Sequence, residues 1–151
     1  MAHIDYFFST LSPYAYLAGT RMEDVADKHG ATVTYKPVDV MGLFGRTGGT
    51  PPKARNPNRQ ELVHSFMSAV WAEEKDIAQD EVVKDKLSAA GFDPSLADSG
   101  LLAGAETFAA NLEEAVSRGV FGSPFYITDK DQRFWGQDRI EDLDLHLAGK
   151  L

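Results

Sequence analysis

The pattern of apolar and polar positions predicts a specific order of elements. His3 to Phe8 (HIDYFF) is a short apolar and aromatic run suited to a buried strand. From Tyr14 to His29 apolar residues fall at Leu17, Ala18, Met22, Val25 and Ala26, near helical spacing, and Gly30 closes the predicted helix. Thr32 to Pro37 (TVTYKP) alternates and is β-branched, a second strand. Strand, helix and strand in so short a stretch make a βαβ unit, which favours parallel pairing.

Met41 to Arg59 is rich in Gly and Pro and reads as a long loop. Beyond it Leu62, Val63, Phe66, Met67, Val70 and Trp71 form a wide helical stripe. Asp80 to Ala90 predicts a second helix, ending at Gly91, and Asp93-Pro94 opens a short third. Leu102, Ala105, Ala109, Leu112, Ala115 and Val116 mark a longer helix that stops at Gly119. The tail returns to strands at Phe125–Thr128 and Arg133–Trp135, with Asp129-Lys-Asp-Gln as the hairpin turn. Arg139 to Ala148 predicts a last helix with Ile140, Leu143 and Leu147 on one face. The order βαβ, helices, ββα is that of an α/β, thioredoxin-like mixed sheet. Residues 1–60 and 119–151 would form the sheet domain and 61–118 an inserted helical subdomain.

Composition narrows the chemistry. The 151 residues suffice for one ordinary domain, and no apolar run approaches the ~20 residues of a membrane span. The first residues lack the basic-then-apolar pattern of a secretory leader, so a cytoplasmic location is expected. A net charge of −8 argues against a nucleic-acid partner. Lys36, Arg46, Lys53, Arg55 and Arg59 nevertheless crowd one stretch whose acid is Asp39, a local positive patch that suits a small anion or is simply a solvated loop. The chain has no cysteine, which excludes disulfides, thiolate metal sites and a cysteine nucleophile. Any thiol must come from a small molecule. His3, His29, His64 and His146 show no metal-ligand spacing, and no metal is expected.

Three junctions could carry chemistry. Ser12-Pro13 sits between the first strand and first helix; Ser12 is either an ordinary N-cap or a hydroxyl aimed at an anion held by the helix N-terminus. Pro124, in RGVFGSPF, is either a boundary proline or a cis proline that turns the backbone of Ser123 outward. Gln137 or Asp138, in FWGQDR, is either the cap of the last helix or, for Asp138, a partner for an ammonium group.

Together SPYAYLAG, YKPVDVMGLFGRTGGTPP, WAEEKDI, RGVFGSPFYI and FWGQDRIEDL, in this order along nearly the whole chain, resemble the 2-hydroxychromene-2-carboxylate isomerases. These stand with the kappa-class glutathione transferases in the DsbA-like branch of the thioredoxin superfamily. The resemblance implies glutathione as cofactor, a homodimer, and a small anionic aromatic substrate of the o-hydroxybenzylidenepyruvate type. It implies that Ser12 is the catalytic residue beside the glutathione sulfur, with Ser12-Pro13-Tyr14-Ala15 in the place of the Cys-x-x-Cys of redox relatives. Pro124 matches the cis proline, Ser123 the residue whose backbone pairs with the cysteinyl unit, and Gly136, Gln137 and Asp138 the γ-glutamyl end. Lys36, Arg46 and Thr47, with Trp135, fall where isomerase relatives bind substrate. Two departures stand out: Gly49 replaces the Asn of a Gly-Asn-x-Pro-Pro motif, and several tens of residues are lacking near 60–62. The same residues also suit a kappa-like transferase that conjugates electrophiles, or a non-catalytic glutathione- or peptide-binding module.

Overall fold

The computed structural model describes residues 2–40, 42–43 and 59–151. Four strands, β1 (His3–Phe8), β2 (Thr32–Pro37), β3 (Phe125–Thr128) and β4 (Arg133–Trp135), form one sheet in the order β2-β1-β3-β4. β1 pairs parallel with β2, Phe7 opposite Lys36, and antiparallel with β3, Phe7 opposite Phe125; β3 and β4 form the hairpin. The helices are α1 (Pro13–Ala18), α2 (Arg21–Lys28), α3 (Arg59–Trp71), α4 (Asp80–Ala89), α5 (Leu96–Ser99), α6 (Leu101–Ser117) and α7 (Ile140–Leu147).

Strand periodicity sorts the central residues onto two faces, and helices cover both. Ile4, Tyr6 and Phe8 of β1 and Tyr126 of β3 share a core with Ala15, Met22, Met67, Ile140 and Leu143. Phe7, Phe125 and Ile127 point the other way, into a core with Val38, Leu43, Ala115 and Val120. Burial on both faces explains why β1 and β3 read as continuous apolar runs rather than as alternation. The rings of Tyr6 and Tyr126 stack at 5.1 Å across the β1–β3 pair, worth about 0.5–1.5 kcal/mol beyond their burial. In the helical segment between β2 and β3, Met67 of α3 joins the first core and Ala115 of α6 the second, so both ends of that segment pack on the sheet.

The predicted helix from Tyr14 to His29 is two helices. Gly19 caps α1 at φ +57°, ψ −139°, a left-handed conformation that side-chain-bearing residues rarely adopt, and α2 restarts at Arg21. The apolar spacing runs through the break without losing phase. As a result α1 is only six residues long, and its first turn has little free N–H to offer: Pro13 has none, and that of Ala15 is taken by Ser12 Oγ at 3.2 Å. The helix-end potential that the sequence offered beside Ser12 is weakened accordingly.

A second difference lies before α7. Neither Gln137 nor Asp138 caps it; Arg139 occupies the N-cap position and makes no side-chain cap bond. Gly136, at φ +107°, turns the chain and its carbonyl accepts from the Arg139 N–H at 3.3 Å. The side chains of Gln137 and Asp138 are thereby left for another use.

Candidate active site

The β1–α1 loop, the residues before β3 and the turn after β4 meet at one end of the sheet, around a cavity of about 750 Å³. Its lining includes Leu11, Ser12 and Tyr14 from the first segment, Gly122 and Ser123 from the second, and Trp135 to Arg139 from the third. Side-chain-to-backbone hydrogen bonds hold the first two segments together. The Ser12 hydroxyl donates to the Ser123 carbonyl at 2.9 Å while accepting from Ala15 N–H. Ser123 Oγ in turn accepts the backbone N–H of Ser9 at 2.8 Å. Both serines are buried, so these bonds are not exchanged freely with water. The Ser123–Pro124 peptide is cis, as one of the two sequence readings has it. Pro124 stands behind the lining, its carbonyl accepting from Gly136 N–H at 3.0 Å and tying the second segment to the third. Trp71 of α3 braces the first loop, its indole N–H donating to Thr10 O at 3.1 Å.

One side of the cavity is apolar and open. Leu11, Tyr14 and Trp135 are each more than half exposed, a concentration of large apolar surface that marks a binding face. Trp135 is backed by Phe121 at 4.9 Å, and Phe121 by Phe125 at 5.4 Å, a chain of edge contacts from core to rim. Gly122 lies under the Trp135 indole so closely that a Cβ there would collide with Nε1. We therefore expect Gly122→Ala to swing the indole aside. In a Trp71→Phe background the emission of Trp135 should shift and its quenching by a cavity ligand should fall, with little change in melting temperature. Unaltered emission and quenching would show that the indole is not seated on Gly122.

The polar side is built by the Gly136 turn. The Asp138 carboxylate folds over Gly136, filling the space a Cβ would need. It is exposed and makes no hydrogen bond or ion pair among the described residues. Gln137 Oε1 accepts from Arg21 Nη2 at 2.5 Å, and Arg139 Nε donates to Asp142 at 2.6 Å.

Ser12, Ser123, Trp135, Gly136, Gln137 and Asp138 thus come together as the sequence places them. Lys36 does not join them. Its Nζ lies 2.6 Å from both Glu114 oxygens and 3.1 Å from Asp5, beneath the sheet, with its side chain only 5% exposed. Arg118 completes the cluster, pairing with Asp5 Oδ2 at 2.5 Å and Glu114 at 2.7 Å. A cation so committed is not available to a substrate carboxylate in the cavity. Burial by itself would raise the Asp5 pKa, but the Arg118 hydrogen bond and the Lys36 charge outweigh it and hold the carboxyl below its ordinary value. Arg46 and Thr47 lie outside the described residues. Sequence reasoning missed Leu11, Tyr14, Val40, Gly122 and Arg139 as lining residues. It also missed the Lys36 cluster, whose one visible signal is Asp5 inside an otherwise apolar strand.

The model of the DsbA-like thioredoxin domain matches residues 3–68 and again 57–148. The chain belongs to the DsbA-like thioredoxin family. Its similarity extends to 2-hydroxychromene-2-carboxylate isomerases. It is 24% identical to that of Sphingobium xenophagum over 190 positions, covering 95% of this chain and 97% of the relative. It is 25% identical to that of Pseudomonas putida, covering 91% and 90%. Alignments longer than the chain itself mean that these relatives carry residues this family member lacks. A solved 2-hydroxychromene-2-carboxylate isomerase superposes with a TM-score of 0.75 at 20% identity, over 97% of this chain and 95% of that one. A probable DsbA oxidoreductase from Streptomyces coelicolor superposes at 0.72 and 14% identity, over the whole of this chain and 92% of the other. Both show the DsbA-like thioredoxin fold. In this member no helix among the described residues is long and apolar enough to cross a membrane.

Proposed function

We propose that this protein is a glutathione-dependent isomerase of the 2-hydroxychromene-2-carboxylate type, acting on an o-hydroxybenzylidenepyruvate-like aromatic 2-oxo acid. The observation that carries this reading is the convergence of a buried hydroxyl, a backbone carbonyl beside it and a carboxylate with no partner among the described residues on one aromatic-walled cavity, in a chain with no thiol of its own. These groups fit glutathione's thiol, amide and ammonium by chemical type. Ser12, Ser123, Gln137 and Asp138 would hold glutathione, which when bound would supply a thiolate able to add reversibly to a conjugated alkene.

The chain's own groups have distinct tasks. A free thiol has a pKa near 8.5, so only a few per cent is ionised at neutral pH without help. The Ser12 hydroxyl, turned from Ser123 to the sulfur, exchanges a neutral hydrogen bond of about 0.5–1.5 kcal/mol for one to an anion of about 1.5–3 kcal/mol. Asp138 takes the γ-glutamyl ammonium. With its oxygen held by Arg21, Gln137 turns its N–H₂ toward the adjoining carboxylate. Trp135 offers its ring face to the aromatic substrate. With Lys36 committed beneath the sheet, Arg139 is the cation of the described lining and the partner for the substrate carboxylate. A thiol cofactor requires a reducing compartment, which agrees with a cytoplasmic setting.

The test is conversion of 2-hydroxychromene-2-carboxylate with and without glutathione. Conversion only in its presence is expected; equal conversion in its absence would overturn the role of the thiol. Asp138→Ala should raise the glutathione concentration needed for half-maximal rate about tenfold, the equivalent of one charged hydrogen bond. The saturated rate should stay within a factor of about two, because the carboxylate does not touch the reacting atoms. A collapse of the saturated rate with unchanged glutathione requirement would contradict this assignment.

A further inference from the structure

The bond from the Ser12 hydroxyl to the Ser123 carbonyl has a consequence for which thiols the site can activate. A hydroxyl has one proton. In this structure the proton of Ser12 is spent on Ser123 O at 2.9 Å, and its lone pair on Ala15 N–H. Ser12 therefore cannot donate to a neighbouring sulfur until it releases the carbonyl. The carbonyl in turn cannot simply be abandoned in the complex: Ser123 is a largely buried residue of the cavity lining, and once a ligand fills the cavity in place of water a carbonyl stripped of its donor is costly. Release is favoured when another donor takes the place of Ser12.

A cysteinyl thiol brings such a donor with it. Its own amide nitrogen is separated from the sulfur by only Cα and Cβ, so with the sulfur against Ser12 Oγ the N–H falls within reach of Ser123 O. We infer that the site activates a thiol by exchange: the ligand's cysteinyl N–H displaces the Ser12 hydroxyl from the Ser123 carbonyl, and the freed hydroxyl turns to the sulfur. Ser123 is then a specificity-determining residue through its backbone, and its side chain keeps that carbonyl in place by holding Ser9 N–H at 2.8 Å. Thiols attached to an amide N–H are activated; thiols of the same size and charge without one are held but remain protonated. This rests on the proposed use of glutathione, which it refines.

The test compares reduced glutathione with its depsipeptide analogue, in which an ester oxygen replaces the cysteinyl amide N–H and every other group is kept. The ultraviolet absorbance of the thiolate, followed against pH in each complex, reads the bound thiol pKa. With the unaltered protein glutathione should titrate at least one unit lower than the depsipeptide. Ser12→Ala should raise the pKa of bound glutathione toward the depsipeptide value and leave the bound depsipeptide where it was. Equal pKa values for the two ligands on the unaltered protein, or an equal effect of Ser12→Ala on both, would overturn the exchange. The first comparison needs no variant, so it stands even if Ser12→Ala folds poorly. Should neither thiol titrate below its free value, the exchange and the glutathione reading fall together; lowered but equal values remove the exchange alone.

Discussion

Replacing Ser12 by alanine should lower turnover by about 10²–10³, the usual loss when one preorganised donor to a reacting anion is removed. Three features set this magnitude. The hydroxyl is buried at the floor of the cavity, where a hydrogen bond to charge is screened little. The helix behind it is only six residues long and begins with a proline, so it retains little of the stabilisation once the hydroxyl is gone. Of the other side-chain donors in the lining, Trp135, Gln137 and Arg139 lie on the third segment, and the Tyr14 ring is more than half exposed, where water competes for its hydroxyl. The same substitution removes the acceptor for Ala15 N–H and should cost about 1 kcal/mol of stability, as the loss of an N-cap does. Kinetics at a temperature where both proteins are fully folded separates the two effects. A variant with unchanged turnover and lowered melting temperature would make Ser12 a helix cap and nothing more.

Lys36→Met should be the most destabilising of these substitutions, by about 3 kcal/mol or more, because it leaves Asp5 and Glu114 facing each other with Arg118, and His3 beside Asp5 when protonated, to neutralise them. Methionine keeps the length and the packing over Phe7, whose ring lies 5.1 Å from the Lys36 ammonium, so the loss reports charge rather than volume. The pH dependence has a definite sign. Asp5 is held below its ordinary pKa in the folded chain, so its contribution is present above the unfolded value and is lost as pH falls through the folded one. Without Lys36 that folded value rises, and the acid limb of the stability curve should move to higher pH. Chemical unfolding from neutral pH to below pH ~4 measures both. If Lys36 were instead a ligand for substrate, its replacement would leave stability unchanged and weaken the binding of anions; that result would contradict the placement of its ammonium beneath the sheet.

The contrast between Ser12 and Lys36 shows which parts of this protein a sequence makes legible. Strands β1 and β3 and the hairpin could be read because a strand buried on both faces leaves an apolar run with turn residues at its ends. The cavity residues could be read because Ser12-Pro13, Ser123-Pro124 and Gly136-Gln137-Asp138 are local signatures whose spacing matched a known family. Lys36 was misread because its partners are defined by pairing. Only the parallel register that sets Phe7 opposite Lys36 puts the ammonium on the face of Asp5 and beneath α6. The break at Gly19 was missed because Leu17, Ala18, Met22 and Val25 keep helical phase across it, and only the backbone angle of one glycine records the interruption. For Asp138 the sequence left a helix cap and a partner for an ammonium both open; the Gly136 turn moves the helix start to Arg139 and leaves the carboxylate in the cavity lining.

The central claim, that glutathione serves here as a cofactor rather than as a reactant, is tested most directly by counting product against thiol. With 2-hydroxychromene-2-carboxylate in large excess over a limiting amount of glutathione, conversion should run to equilibrium, many product molecules forming for each glutathione present. The free thiol titrated at the end should equal that supplied. Conversion that stops at one product for each glutathione, with the thiol consumed, would make the protein a transferase and contradict the account; binding of glutathione with no conversion at all would reduce it to a binding module.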